Sequence, residues 1–523
     1  MENLFKKITH RQFLFSDTAI IWYLTVSKFI IHLLFIGNYG YFRDELYYIA
    51  CSDHLAFGYV DQPPLSIFIL AISRWLLGDS LIAIRFFSAA ANSLVVLIAG
   101  LLVRQLGGKR FSQVLAALSV IAAPVLLGTG RYFSMNAFDH LFWSLAFYIL
   151  ILIIKQDNPK FWPLFGLITG LGLLNKYSML FMGFGLVVGL LLTTHRKHLI
   201  NKWFWLGGFI ALVIFLPHLI WEIFHKFPSL EFIQNASQLK NIPITPFQFL
   251  LGQFREVNYF SAPIWSMGLF YFFLHQEGRR YRLFGWMVII IFTVLVTRNA
   301  KLYYLSPVYP LLLASGAVFI EKIISQIKLY WIKYTYASIV VIGGILLAPF
   351  AVPILPVDVF IKYQNYLGLT PRQEERTTLG VLPQHYADQF GWQELVATVA
   401  DIYGGLSPQE RSNCMIFVRN YGQAGAIDFF GKNYNLPNAS CGHNNYWLWG
   451  PPNWNGEVAI ILGNCRDVDE CIRNEKQHFE KVVHAGTTNC RYCMPYENNR
   501  PILLCHGFKY SIKEIWANER NYM

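Results

Sequence analysis

The sequence predicts a polytopic α-helical membrane domain followed by a smaller α/β domain outside the cytoplasm. Three observations carry that prediction. The 523 residues are 54% hydrophobic and only 14% charged, with a mean hydropathy of +0.37, whereas a soluble domain carries about 25% charged residues. The apolar residues fall in runs long enough to cross a bilayer. Lys and Arg collect in alternate short gaps between those runs, as cytoplasmic gaps require. The net charge of +12 therefore follows from topology and does not call for a nucleic-acid partner.

The first apolar run, 20–36, follows Lys6, Lys7 and Arg11 and lacks a small-residue cleavage site, so it reads as a retained anchor. It places 38–80 outside. The run 81–103 returns to Arg104, Lys109 and Arg110. The run 111–127 leads to a short outer loop at Arg131, and 137–154 returns to Lys155 and Lys160. The stretch 161–194 holds two short spans broken at Asn175, Lys176 and Tyr177. The runs 203–221, 263–274, 283–296, 303–320 and 338–355 complete a count of about eleven spans. Domain boundaries follow at 1–355 for the membrane domain and 356–523 for an extracytoplasmic tail.

The tail reads as α/β. Residues 392–403 have helical spacing of apolar positions, and 415–418 and 458–462 are short β-prone runs. The run N-Y-G-Q-A-G-A-I-D-F-F-G reads as a turn and a helix whose role the residues do not declare. Seven of the eight cysteines lie between 414 and 505. In an oxidising compartment they are disulfide candidates whose pairing cannot be deduced. Cys490-x-x-Cys493 with Cys505 and His506 lacks the usual paired zinc spacing. Trp447, Trp449 and Trp454 read as interfacial anchors before they read as sugar-stacking platforms.

Chemistry concentrates in the loop after the first span, F-R-D-E-L-Y-Y followed by G-Y-V-D-Q-P-P-L. Ionised groups at a membrane edge are costly and are usually paired or functional. A local ion pair would account for Arg43, Asp44 and Glu45 taken alone. A carboxylate there can also accept a proton from a hydroxyl. Further along, G-R-Y-F-S-M-N-A-F-D-H-L-F-W carries Arg131 and Asp139, G-L-L-N-K-Y-S carries Lys176, and K-L-Y-Y-L-S-P-V-Y-P carries Lys301, Tyr303 and Tyr304. Fixed cations of this kind suit a phosphate. Snorkelling toward headgroups is the bland account of each Lys, and a helix-start role is the bland account of Asp139.

Taken together, these motifs resemble the dolichyl-phosphate-mannose protein mannosyltransferase-like superfamily, which includes the bacterial aminoarabinose transferases. The resemblance implies a GT-C fold and an inverting transfer of sugar from a polyprenyl-phosphate carrier to a glycolipid or protein acceptor at the outer face of the membrane. It implies a catalytic role for Asp44, as base or acceptor-orienting group, with Glu45 beside it. It implies substrate binding by Asp61, Asp139, Lys176, Lys301, Tyr303 and Tyr304, with Arg43, Arg131 and Arg255 as further cations. The bacterial branch often has Lys after the second acidic residue. Gln62 stands there in this chain, so that phosphate contact is not carried over. No cofactor is demanded. A divalent ion is compatible with Asp61 and Asp139, although no ligand spacing calls for one. Expected partners are the lipid-linked donor, the acceptor and the bilayer, in a cell membrane that would be the inner membrane of a Gram-negative cell. The rival reading is a transporter or flippase of lipid-linked sugars, against which stands the lack of repeat halves. An adhesion protein built on the tail would leave the acidic loop unexplained.

Overall fold

The computed structural model describes residues 16–373, 375–465 and 467–523. The chain divides into two compact units. The first comprises Met1–Asn38, Ile82–Leu219 and Pro243–Ile354. The second comprises Tyr39–Leu81, Ile220–Ile242 and Leu355–Met523.

The first unit is helical and builds a multi-pass membrane protein. Among the described residues, seven helices in the chain are long and apolar enough to cross a bilayer, or up to eight if one bent pair is a single span. They include Asp17–Phe35, Leu81–Gln105, Met135–Gln156, Lys202–Phe224 and Trp331–Ala351. Further apolar helices are shorter. The predicted span at 111–127 is two pieces, Arg110–Ile121 and Pro124–Gly128, because Pro124 disfavours helical geometry at Ala123, which is extended. The stretch 161–194 breaks where expected: Trp162–Asn175 ends, Lys176 is extended, and Met179–Leu191 begins. A continuous core runs through this unit, from Val96 and Leu115 to Trp143, Phe147, Phe284 and Leu313. Helix Lys202–Phe224 instead exposes Trp205, Phe209, Leu212 and Val213, as a lipid-facing helix does.

The second unit joins the first loop to the tail. Its five-stranded sheet has the order β2-β1-β3-β5-β4. The strands are β1 (Cys414–Val418), β2 (Ala439–Cys441), β3 (Val458–Leu462), β4 (Phe479–Thr487) and β5 (Pro501–Phe508). β1 pairs in parallel with β2 and β3, and β5 is antiparallel to β3 and β4. Met415, Phe417, Ala459, Ile461 and Leu503 form the core on one face. β1 and β3 are buried at every position, which is why they read as unbroken apolar runs.

Trp447 and Trp454 spend their indole N–H groups inside the tail. The indole of Trp447 donates to the Trp516 carbonyl at 2.8 Å and Trp516 donates back to the Trp447 carbonyl at 3.1 Å. Trp454 donates to the carbonyls of Asn413 and Val458. Trp449 stacks on His54 at 4.4 Å. Of the tail cysteines, Cys465 and Cys471 form a disulfide, while Cys414, Cys441, Cys490, Cys493 and Cys505 are free thiols.

Candidate functional site

The predicted site residues fall into two clusters, one in each unit. In the second unit, Arg43, Asp44 and Glu45 open the helix Arg43–Asp53. Glu45 is fully buried, and its carboxylate accepts the Phe42 N–H at 2.8 Å, capping the helix as a box residue does. Asp44 keeps 29% of its side chain exposed. The Tyr421 hydroxyl donates to Asp44 Oδ1 at 2.9 Å, and Arg43 Nε lies 3.4 Å from the same oxygen. Of the two acids, only Asp44 presents an oxygen that an incoming hydroxyl could meet.

Arg43 is fixed from several sides. Its Nη1 donates to the Tyr496 hydroxyl at 2.6 Å, lies 3.8 Å from Asp388, and its guanidinium sits over the Tyr421 ring at 5.4 Å. Its backbone N–H donates to the Asp388 carbonyl at 2.9 Å. Burial pushes the Asp388 carboxyl up to about 6, against the pull of Arg43. The helix Tyr421–Phe430 can approach the helix Arg43–Asp53 because of two glycines. A Cβ on Gly422 would strike Arg43 Cγ, and one on Gly425 would fall 2.6 Å from the Leu46 backbone. This gives the glycine-rich tail run its role: it seats Tyr421 against the acidic loop.

Asp61 follows on the same unit. The Tyr47 hydroxyl donates to Asp61 at 2.9 Å and lies 2.9 Å from Asn445 Oδ1, which also accepts the Val60 N–H at 2.8 Å. Asp61 keeps an exposed edge, yet desolvation pushes its carboxyl up to about 7, with the Tyr47 hydrogen bond opposing. The side chain of Gln62 is fully buried, and neither its amide oxygen nor its nitrogen has a hydrogen-bond partner. Asp53, also in this loop, is spent on Arg74 at 2.6 Å.

The first unit brings together Asp139, Lys176, Tyr303 and Tyr304. Ser134, not Asp139, caps the helix Met135–Gln156, so the helix-start account of Asp139 does not apply. Asp139 accepts from the Ser178 hydroxyl at 2.6 Å and lies 3.7 Å from Lys176 Nζ. Lys176 Nζ donates to Asn136 Oδ1 at 2.7 Å and sits 5.6 and 5.1 Å from the ring centres of Tyr303 and Tyr304. Its side chain is 19% exposed. It is thus a cation held in place by one carboxylate and two aromatic faces, which a merely snorkelling Lys would not be. Lys301 precedes the short helix Leu302–Val308 that carries both tyrosines. Arg131 is buried with its guanidinium 5.2 Å from the Tyr132 ring. Arg255 pairs with Glu256 at 3.3 Å.

Among the described residues, no group of three or more His, Cys, Asp or Glu side chains is placed to hold a metal ion. The residues that sequence reasoning missed are Asp388, Tyr421, Asn445 and Tyr496. All four lie in the tail, far from the loop in sequence, and no local spacing could have announced them.

Comparison with known proteins agrees with this architecture. Residues 61–221 match the family described as dolichyl-phosphate-mannose-protein mannosyltransferase. An undecaprenyl phosphate-alpha-4-amino-4-deoxy-L-arabinose arabinosyl transferase of Aeromonas salmonicida is 32% identical over 23% of each chain. The lipid A galacturonosyltransferase RgtD of Rhizobium johnstonii is 22% identical over 50% of this chain and 56% of its own. The chain thus spans between about a quarter and just over half of these relatives' lengths. The fold is similar to the crystal structure of ArnT from Cupriavidus metallidurans in the apo state, with a TM-score of 0.59 at 14% identity, covering 94% of this chain and 98% of that one. It is similar as well, with a TM-score of 0.57, to the same protein bound to undecaprenyl phosphate.

Proposed function

We propose that this chain, a GT-C protein of the dolichyl-phosphate-mannose protein mannosyltransferase-like superfamily in its aminoarabinose-transferase-like branch, is a membrane glycosyltransferase. It transfers a glycosyl unit from a polyprenyl-phosphate carrier to a glycolipid or protein hydroxyl. The observation that carries this reading is Asp44, held by Tyr421 and Arg43 with part of its carboxylate exposed. The named relatives are transferases, which favours transfer over carrier translocation.

In this reading the acceptor hydroxyl gives its proton to Asp44 as its oxygen attacks the anomeric carbon. The bond from that carbon to the carrier phosphate breaks on the opposite side, so configuration inverts. The departing phosphate is already anionic and needs fixed positive charge more than an acid. Lys176 supplies that charge with Lys301, and Arg131 serves the same end. Asp61 and Asp139 orient sugar or acceptor hydroxyls, and Tyr303 and Tyr304 hold Lys176. Glu45 keeps the helix that presents Asp44. The protein would sit in the cell membrane, the inner one in a Gram-negative cell, with its tail extracytoplasmic.

The test is transfer of isotope-labelled sugar from a polyprenyl-phosphate donor in proteoliposomes. Label that becomes covalently attached to an acceptor is expected. Carrier that crosses the bilayer without any transfer would overturn the proposal in favour of a flippase.

A further inference from the structure

Outside the clusters described above, one pair of nucleophiles stands apart. Cys490 and Cys493 are both free thiols, the first half-buried and the second buried. They lie in the segment that leads from β4 to β5. The Cys493 N–H donates to Cys490 Sγ at 3.2 Å, and the Cys493 thiol donates to the Cys490 carbonyl at 3.5 Å. The Cys490 N–H is held by Asn498 Oδ1 at 2.8 Å. Gly391 packs on the pair: a Cβ there would fall 3.0 Å from Cys490 Sγ and 3.2 Å from Cβ of Cys493. Gly391 has φ +92°, and its left-handed backbone keeps that space clear. A hollow of about 290 Å³ opens beside both cysteines, lined also by Arg491, Tyr492 and Pro495.

This arrangement separates the two sulfurs by role. The Cys493 side chain beside it holds the Cys490 thiol below the usual thiol range, helped by the backbone N–H groups of Tyr492 and Cys493 and opposed by burial and Glu394. The neighbouring Cys490 side chain and burial push Cys493 up. One sulfur is accessible and thiolate-prone, and the other waits behind it. Neither takes part in the glycosyl-transfer reading.

We propose that Cys490 and Cys493 form a thiol–disulfide exchange site whose substrate is an external disulfide. The Cys490 thiolate attacks one sulfur of that disulfide. The external S–S bond breaks, a mixed disulfide forms on Cys490, and one external thiolate leaves. Cys493 then loses its proton and attacks Cys490 Sγ, releasing the second external thiolate. Two protein thiols are oxidised, one external disulfide is reduced to two thiols, and the protons from the protein end on the leaving groups. The segment that closes is the one that carries Tyr496, the partner of Arg43.

The proposal stands independently of glycosyl transfer, because its readout is thiol chemistry. The full chain, reduced and then purified in detergent, is treated with N-ethylmaleimide or with oxidised glutathione, and its peptides are weighed. Maleimide is expected on Cys490 at least about tenfold faster than on the buried Cys51, Cys414, Cys441 and Cys505. Oxidised glutathione is expected to remove two hydrogens from the wild-type peptide that holds both cysteines. In Cys493→Ser the reaction stops at a glutathione adduct on Cys490. Labelling of Cys490 no faster than the buried thiols would overturn the proposal. So would a wild-type pair that takes up no oxidation from glutathione, or one that dithiothreitol cannot reduce in the folded chain. The wild-type measurements need no substitution, so a misfolded variant cannot hide the answer.

Discussion

Asp44 and Glu45 are neighbours in sequence with opposite fates in the fold. Glu45 is buried as a helix cap, while Asp44 keeps an exposed oxygen. Asp44→Asn preserves size and can still accept from Tyr421, but it cannot act as a base. Turnover is expected to fall by roughly 10²–10⁴-fold with donor binding near normal, measured as transfer rate beside donor affinity. Full turnover in that variant would remove Asp44 from the chemistry. Tyr421→Phe deletes a single hydrogen bond and should cost roughly tenfold or less. Asp61 supports a second prediction, about pH. Its folded carboxyl is raised to about 7, so the folded chain holds a proton that the unfolded chain releases. The stability this contributes is fully present below roughly pH 4 and lost as pH rises toward about 7. Asp61→Asn should flatten the fall in melting temperature across that window, and an unchanged slope would place the titration elsewhere.

At the scale of elements, what depends on local residues is legible in the sequence, and what depends on distant partners is not. The break at Lys176 was legible because Asn, Lys and Tyr interrupt an apolar run. The structure adds what the break is for: it swings Lys176 beside Asp139 and over two tyrosines from a later helix. β1 and β3 were legible as apolar runs. β4 was not, because F-E-K-V-V-H-A-G-T is largely exposed. β5 was not, because P-I-L-L-C-H-G-F begins with Pro501 and runs into His506 and Gly507, which weaken a strand signal. Gly422 and Gly425 were visible as letters, but a glycine needed for close approach looks like any other until its neighbour is known. The Lys176 cluster supports a third prediction. Lys176→Ala and Lys301→Ala each remove a charge available to an anionic donor, and donor affinity should weaken by roughly tenfold to a hundredfold. Binding of a labelled polyprenyl-phosphate sugar checks this. Unchanged affinity in both variants would return the two lysines to a headgroup role.

At the scale of the whole molecule, the sequence suggested a membrane enzyme with an appended tail, whereas the second compact unit contains the first loop and the tail together. Topology tagging comes first: labels after residue 356 are expected outside, and labels in the Arg279–Arg282 gap inside, from the placement of basic residues. A cytoplasmic tail would sink the localisation. The stronger prediction concerns dependence. Arg43 is held by Tyr496 and Asp388, Asp44 by Tyr421, and Tyr47 and Val60 by Asn445. Every one of those partners lies in the tail. A chain ending at residue 355 would keep the membrane helices but lose each of these hydrogen bonds and the glycine-mediated packing on the helix Arg43–Asp53. Backbone amides of residues 43–61 should then exchange with solvent far faster than in the full chain, and transfer should be lost even where the truncated chain inserts correctly. Asn445→Ala tests the same dependence without truncation. It removes the acceptor for Val60 N–H and a partner of the Tyr47 hydroxyl, so the loop around Asp61 should loosen while the sheet stays folded. Wild-type exchange rates in 43–61 after truncation would show that the loop orders itself, and that the tail serves something other than the acidic loop.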